Sequence, residues 1–231
     1  MIEASPRAPA ALRRKAGIHR VLRVRDLSPG AFVLRFSREG LAFRAGQWVN
    51  LGLPRGRDRR EYTLYSSPRD GFLEVLVREI PEGRLSPALR QCRPGDELEV
   101  DGPYGSFSIV QGSSASTHFL FVATGTGVSP FHCFVRDDPG LNYILVHGVR
   151  DAAELYDPDV FAPDRYIPCI SGGRGEGKGY AGRVTSWLAE RPVEISRYCY
   201  LCGNSDMIYE VYALLRERGV PRSFIFAEVY F

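Results

Sequence analysis

From His19 to about Gln111 the apolar residues come in short runs separated by turn residues: HRVLRVRDL, AFVLRFS, QWVNLGL, EYTLYSS, FLEVLVREI and DELEVDG. Runs of this length, without a helical period, predict an antiparallel β-barrel or sandwich. One short helical segment, Ser86 to Gln91, interrupts them. After Ser113 the period changes: HFLFVATG, PFHCFVRDD, NYILVHGV, RYIPCIS, RVTSWLAE, RYCYLCG and DMIYEVYALLRERG alternate between strand-like and helix-like patterns. That alternation predicts an α/β unit with a parallel sheet. Its clearest helix runs from Asp206 to Arg218, with Met207, Val211, Leu214 and Leu215 on one stripe, Asn204 or Ser205 as cap and Gly219 as stop. FIFAEVYF predicts a further strand, and the Ser- and Gly-rich QGSSAST, Gln111 to Thr117, reads as the linker between the halves. The expected organisation is a tail over 1–15, a β-barrel domain over 16–112 and an α/β domain over 113–231.

Composition agrees with two modest globular domains: 231 residues, 44% hydrophobic and 25% charged. The chain contains no run of roughly 18 apolar residues, and MIEASPRAPAALRRKAG lacks the apolar segment of a secretory signal, so a cytoplasmic protein without a membrane partner is expected. The five cysteines, Cys92, Cys133, Cys169, Cys199 and Cys202, are an odd number spread over a long chain, which suggests reduced thiols. Cys199 and Cys202 form a CxxC pair with no second pair and no nearby His doublet, so neither a zinc site nor an iron–sulfur cluster is expected. The net charge of +3 is small, but Arg7, Arg13, Arg14, Lys15, Arg20, Arg23 and Arg25 gather near the start. Such a tail suits nucleic acid, an anionic partner or a solvated leader.

Four constellations carry candidate chemistry. In Arg60-x-Tyr62-Thr63-x-x-Ser66-Ser67 alternate strand residues share a face, so Arg60 and Tyr62 could offer one ligand a cation and a flat ring; an ordinary edge strand fits the same letters. Thr124-Gly125-Thr126-Gly127-Val128-Ser129-Pro130 follows a strand and opens a helix, a place where backbone can approach a phosphate. It lacks the third glycine of the dinucleotide fingerprint. Arg150, Ser171, Arg174, Lys178, Tyr180 and Arg183 lie after successive predicted parallel strands, where ligands of such sheets bind, although loop charge is often only solvated. Cys202-Gly203-Asn204 and Glu228-Val229-Tyr230-Phe231 form the fourth, and Cys202 taken alone could be a plain buried thiol.

Arg-x-Tyr-[Ser/Thr]-x-x-Ser resembles the flavin-binding motif of the ferredoxin–NADP reductase family. FRAGQWVNLGL, IPEGRLSPAL, RPGDELEV, ATGTGVSP, YLCGN and AEVYF follow that family in order, from about residue 17 onward, most like its bacterial ferredoxin/flavodoxin reductases. The resemblance implies a FAD-binding barrel followed by an NADP(H)-binding α/β domain. It implies that Arg60 holds the FAD pyrophosphate, that Tyr62 stacks on the isoalloxazine, that the Thr63 hydroxyl lies near flavin N5, and that Ser66 completes the motif. Gly83, Arg84, Leu85 and Ser86 would form a second phosphate cradle, though a simple helix cap before Pro87 fits them too. Thr124, Gly125, Thr126 and Gly127 would receive the NADP(H) pyrophosphate, and Arg150, Ser171, Arg174, Lys178, Tyr180 and Arg183 its 2′-phosphate. Here the chain departs from its relatives, which have Ser-Arg adjacent where it has Ser171-Gly172-Gly173-Arg174.

Cys202 and Glu228 would stand beside flavin N5 and nicotinamide C4. Tyr230 would cover the other flavin face, and Phe231 would reach toward the adenine. The implied partner is an acidic one-electron carrier, ferredoxin or flavodoxin, with no nucleic acid, and the implied state is monomeric. Arg55, Arg57, Arg59 and Arg69 would steer the carrier. A reductase component of an oxygenase, which often carries a fused plant-type ferredoxin domain whose cysteines this chain lacks, and a non-enzymatic flavin-binding regulator are the alternatives.

Overall fold

The computed structural model describes residues 16–110, 117–173 and 179–230. Six strands form the first sheet: β1 (Gly17–Ser28), β2 (Ala31–Ser37), β3 (Trp48–Gly52), β4 (Arg59–Thr63), β5 (Phe72–Arg78) and β6 (Glu97–Tyr104). Their order is β4-β3-β6-β1-β2-β5, antiparallel in every ladder. The short runs alone fit a barrel or a sandwich, and the resemblance implied the barrel that is found. A bridge between Leu64 and Val75, with Tyr65 N–H donating to the Glu74 carbonyl at 2.7 Å, joins the two end strands and closes it. The short helix α1 (Leu85–Arg90) starts one residue earlier than the pattern predicts.

The second sheet is parallel throughout: β7 (His118–Thr124), β8 (Asn142–Val149), β9 (Tyr166–Ile170), β10 (Tyr180–Ala181), β11 (Tyr198–Gly203) and β12 (Ile225–Val229), in the order β10-β9-β8-β7-β11-β12. Helix α2 (Ser129–Asp137) covers one face; α3 (Val184–Ala189) and α4 (Ser205–Glu217) cover the other. Asn204 caps α4 by accepting from Asp206 N–H at 3.0 Å and Met207 N–H at 3.3 Å, which resolves the choice of cap. Strand alternation sends Cys199 to the α3/α4 face and Cys202 to the α2 face, so the CxxC thiols are held apart on opposite sides of β11.

The two units share one apolar core. Ala31, Val33, Tyr65 and Leu76 of the barrel pack in the same cluster as Phe121, Phe131, Phe134 and Tyr200 of the second unit. Phe32, Leu34, Phe36, Leu73, Val75 and Val77 point inward instead. β2 and β5 are therefore covered on both faces, which explains why AFVLRFS and FLEVLVREI alternate so weakly. Glu74, the one acid on the docked face of β5, is 3% exposed and pairs with Arg35 at 2.8 Å and with Arg136 of α2 at 3.7 Å.

Candidate functional site

The chain enters the second sheet at β7, runs outward to β10 and then returns to lay β11 and β12 on the other side. Between β7 and β11 the strand order reverses, and the crevice at their carboxyl ends is where ligands of such sheets bind. Gly127 and Gly203 make this crevice possible. A Cβ on Gly127 would meet the Cys202 carbonyl oxygen at 2.4 Å, so glycine here lets the loop pack against β11; the expectation from sequence had it meeting a phosphate. Gly203, at φ +128°, brings β11 against Thr124, whose Oγ1 accepts from Asn204 N–H at 2.9 Å.

Four of the predicted residues converge here from three strands. β11 pairs with β12 so that Cys202 lies opposite Glu228, and Tyr230 N–H then donates to the Gly203 carbonyl at 2.9 Å. This turn of chain carries the Tyr230 ring to β4, where its hydroxyl donates to Thr63 Oγ1 at 2.5 Å. Thr63 in turn lies close enough to the Glu228 carboxyl to pull its pKa down, and the Tyr230 hydroxyl and the Cys202 thiol influence each other's pKa. One carboxyl oxygen, Oε2 of Glu228, is buried without a hydrogen-bond partner. Burial, and then the charge of Glu61, lift the Glu228 pKa to about 7 against the pull of Thr63. Burial followed by the Glu228 charge likewise lifts the Cys202 thiol well above its ordinary value, so it stands as a neutral thiol.

The remaining predicted residues divide. Arg60 is exposed, with its guanidinium donating to the Arg59 carbonyl, and Tyr62 is partly buried on the same strand face. Ser66, by contrast, is fully buried inside the barrel closure, where its oxygen accepts from Glu74 N–H at 3.0 Å; the structure gives it a framework role. Ser86 accepts from Ile80 N–H at 2.9 Å and so ties down the turn that carries Gly83, while Arg84 reaches Asp58 at 3.2 Å and Leu85 is buried. Arg150, Ser171 and Arg183 follow β8, β9 and β10 on one edge of the sheet. The Ser171 hydroxyl donates to the Val149 carbonyl, and the Tyr180 hydroxyl donates to Glu190 at 2.6 Å. Arg174, Lys178 and Phe231 lie outside the described residues.

Sequence reasoning missed two histidines. His147 Nε2 lies 2.9 Å from the Gly125 carbonyl, which can only accept, so that nitrogen carries the proton, and Nδ1 accepts from the Tyr166 hydroxyl at 2.8 Å. His132 of α2 donates from Nδ1 to the Tyr65 carbonyl at 2.8 Å and stacks on the Tyr65 ring at 3.5 Å. Only the partner across space marks them, since in sequence each is one His in an apolar run. Burial lowers the pKa of His132 to about 3 and of His147 to about 4 from the usual 6.5, although the carbonyl each one bonds pulls the other way. Such groups contribute stability that is complete above 6.5 and is lost as pH falls through the folded values. Thermal unfolding is therefore expected to shift to lower temperature between pH 6.5 and pH 4. Equal melting temperatures at these two pH values would contradict it.

Residues 20–109 match the sequence model of the oxidoreductase FAD-binding domain. Ferredoxin–NADP reductase B of Sorangium cellulosum is 32% identical over 237 residues, an alignment covering 91% of this chain and 96% of that protein. The electron transfer component of toluate 1,2-dioxygenase from Pseudomonas putida is 29% identical over 222 residues, and here the chain spans 88% of itself but 64% of the relative. The crystal structure of a ferredoxin NADP+ reductase from Neisseria gonorrhoeae with bound FAD and NADP superimposes with a TM-score of 0.84 at 22% identity, covering 94% of this chain and 100% of that one. With the two-sheet architecture and near full-length similarity to a reductase, the chain belongs to the ferredoxin–NADP reductase family of FAD-dependent oxidoreductases.

Proposed function

We propose that the protein is a ferredoxin/flavodoxin–NADP(+) reductase, and the observation that carries this is the meeting of Thr63, Cys202, Glu228 and Tyr230 at the crevice between the two units. When bound, FAD supplies hydride exchange with NADP(H) on one side and single-electron exchange with a carrier on the other. The donor set suits that group. Arg60 offers an exposed cation to its pyrophosphate, Tyr62 offers a ring, and Glu228 Oε2 is a buried oxygen still lacking a donor. Thr63 holds a hydroxyl at the reacting edge, and Glu228 can hold or release a proton there near neutrality. The Gly125 carbonyl, restrained by His147, keeps the nucleotide loop in register with the end of β7, and Arg150 and Arg183 are the exposed cations suited to a 2′-phosphate.

The test is anaerobic titration of the purified FAD-loaded protein with NADPH and, separately, NADH. Bleaching of the flavin band by NADPH is the expected result; FAD bound but unbleached by either nucleotide would leave a flavin-binding regulator. The similarity to the toluate dioxygenase component favours a second reading, service to an oxygenase. Cytochrome reduction that needs added ferredoxin or flavodoxin separates the first reading from the second.

The basic surface expected to steer an acidic carrier is narrower than the sequence suggests. Arg59 pairs with Glu99, and Arg69 with Asp137 at 3.4 Å, so Arg55 and Arg57, exposed on the loop between β3 and β4, remain without an ion pair among the described residues. Carrier-dependent turnover is expected to fall severalfold between about 50 and 300 mM salt, because exposed charges are screened over roughly 10 Å. Turnover independent of salt would remove the steering role.

A further inference from the structure

Between β8 and β9 the second unit sends a strap, residues 151–161, back across the barrel. Two short 3-10 turns (Ala152–Glu154 and Pro158–Val160) bracket Tyr156 and Asp157. Tyr156 is buried, and the turn that precedes it packs against β1. Asp157 adopts a left-handed backbone, φ +43°, which is unfavourable for a non-glycine residue. Its side chain compensates with three bonds, all to the barrel: Arg25 Nη1 and Nη2 donate to the two carboxylate oxygens at 2.8 and 2.7 Å, and the Tyr65 hydroxyl donates to Oδ2 at 3.1 Å. A bidentate pair of this kind fixes orientation as well as distance.

Tyr65 is the important partner. It is fully buried, lies two residues beyond Thr63, and is held from its other side by His132, which belongs to the helix that opens from the Thr124–Val128 loop. One side chain therefore ties three things together: the strap that follows Arg150, the strand end that carries Thr63, and the helix that carries the nucleotide loop.

We propose that Asp157 is a positioning residue that, by gripping Arg25 and Tyr65, sets the angle and distance at which nicotinamide meets the flavin. This rests on the proposed function. Burial raises the Asp157 carboxyl, but the hydrogen bond and charge of Arg25 outweigh it and leave the group below its ordinary value, an anion throughout the neutral range. Hydride transfer is steep in geometry, and a displacement of about 1 Å can cost 100-fold in rate.

The experiment uses the FAD-loaded full chain and Asp157→Asn, which keeps size and tolerance of the left-handed backbone while removing the charge. Three quantities are read: the rate of flavin reduction at saturating NADPH, the equilibrium charge-transfer absorbance of NADP(+) with the reduced flavin, and the affinity for 2′,5′-ADP. Expected are a tenfold or greater loss of rate and loss of most of the charge-transfer band, with 2′,5′-ADP affinity within twofold of the parent and the flavin retained. If Asp157→Asn does not retain FAD, Tyr65→Phe decides: it deletes one bond, keeps the ring on His132, and is expected to lower rate and band together by about threefold. A lowered melting temperature with rate and band unchanged would mean a merely structural strap and overturns the proposal. A parent that NADPH does not bleach overturns the proposed function as well, so the two failures are told apart by the parent alone.

Discussion

Exchanging Glu228 for Gln is expected to slow flavin reduction by NADPH about 100-fold at pH 7, at the low end of what a positioned proton-exchanging group contributes. The reason lies in its surroundings: Oε2 buried without a hydrogen-bond partner, the Thr63 hydroxyl and the Glu61 charge nearby, and a pKa of about 7. Gln keeps the shape but cannot exchange a proton. The pH profile of the parent should therefore bend near pH 7 and that of the variant should not. An unchanged rate with the bend still present would assign the ionisation to another group. Stability gives an independent check. Because the folded pKa is raised from 4.5 to about 7, the contribution of Glu228 to stability is full below 4.5 and is lost as pH rises through 7. The Glu228→Gln variant should accordingly gain melting temperature relative to the parent at pH 8 and lose that advantage near pH 4.

Gly203→Ala is the second large effect. At φ +128° an alanine is strained whatever the space, and here its Cβ would lie 2.3 Å from Thr124 Oγ1 and 2.8 Å from the Thr124 carbonyl oxygen. The strands on either side of the reversal point cannot both stay in place. A loss of at least about 3 kcal/mol, or roughly 10 °C in melting temperature for a domain of this size, is expected. Nucleotide binding should weaken with it, because Thr124 also accepts the Asn204 N–H that begins α4. Gly71→Ala, where a Cβ meets nothing within 4 Å, is the control and should change stability by less than about 0.5 kcal/mol. Equal melting curves for the two variants would refute the packing argument.

Much of the site was legible because its parts are local. Arg60, Tyr62 and Thr63 share one strand, the Thr124–Val128 loop follows one strand directly, and Glu228 and Tyr230 sit together on and just past another. Other positions carry a structural task that their letters alone do not show. Ser66 sits in the flavin motif yet spends its oxygen on Glu74 inside the barrel closure, and Gly127 clears room for the Cys202 carbonyl. Arg59 and Arg69 read as free cations until Glu99 and Asp137 are found beside them.

Sequence alone indicated most of the strands and helices, the change from an antiparallel to a parallel unit, and the stations of the candidate flavin and nucleotide motifs, because periodicity and motif spacing act over a few residues. Tertiary structure decided everything that depends on residues far apart in the chain. It closed the barrel through Leu64 and Val75, joined the two units through one shared apolar cluster, and brought Tyr230, Thr63 and Glu228 together. It also gave Arg25 its partner 132 residues away in Asp157. Pairings over such separations leave no periodic trace, since they are selected by shape and charge only once both units have folded against each other.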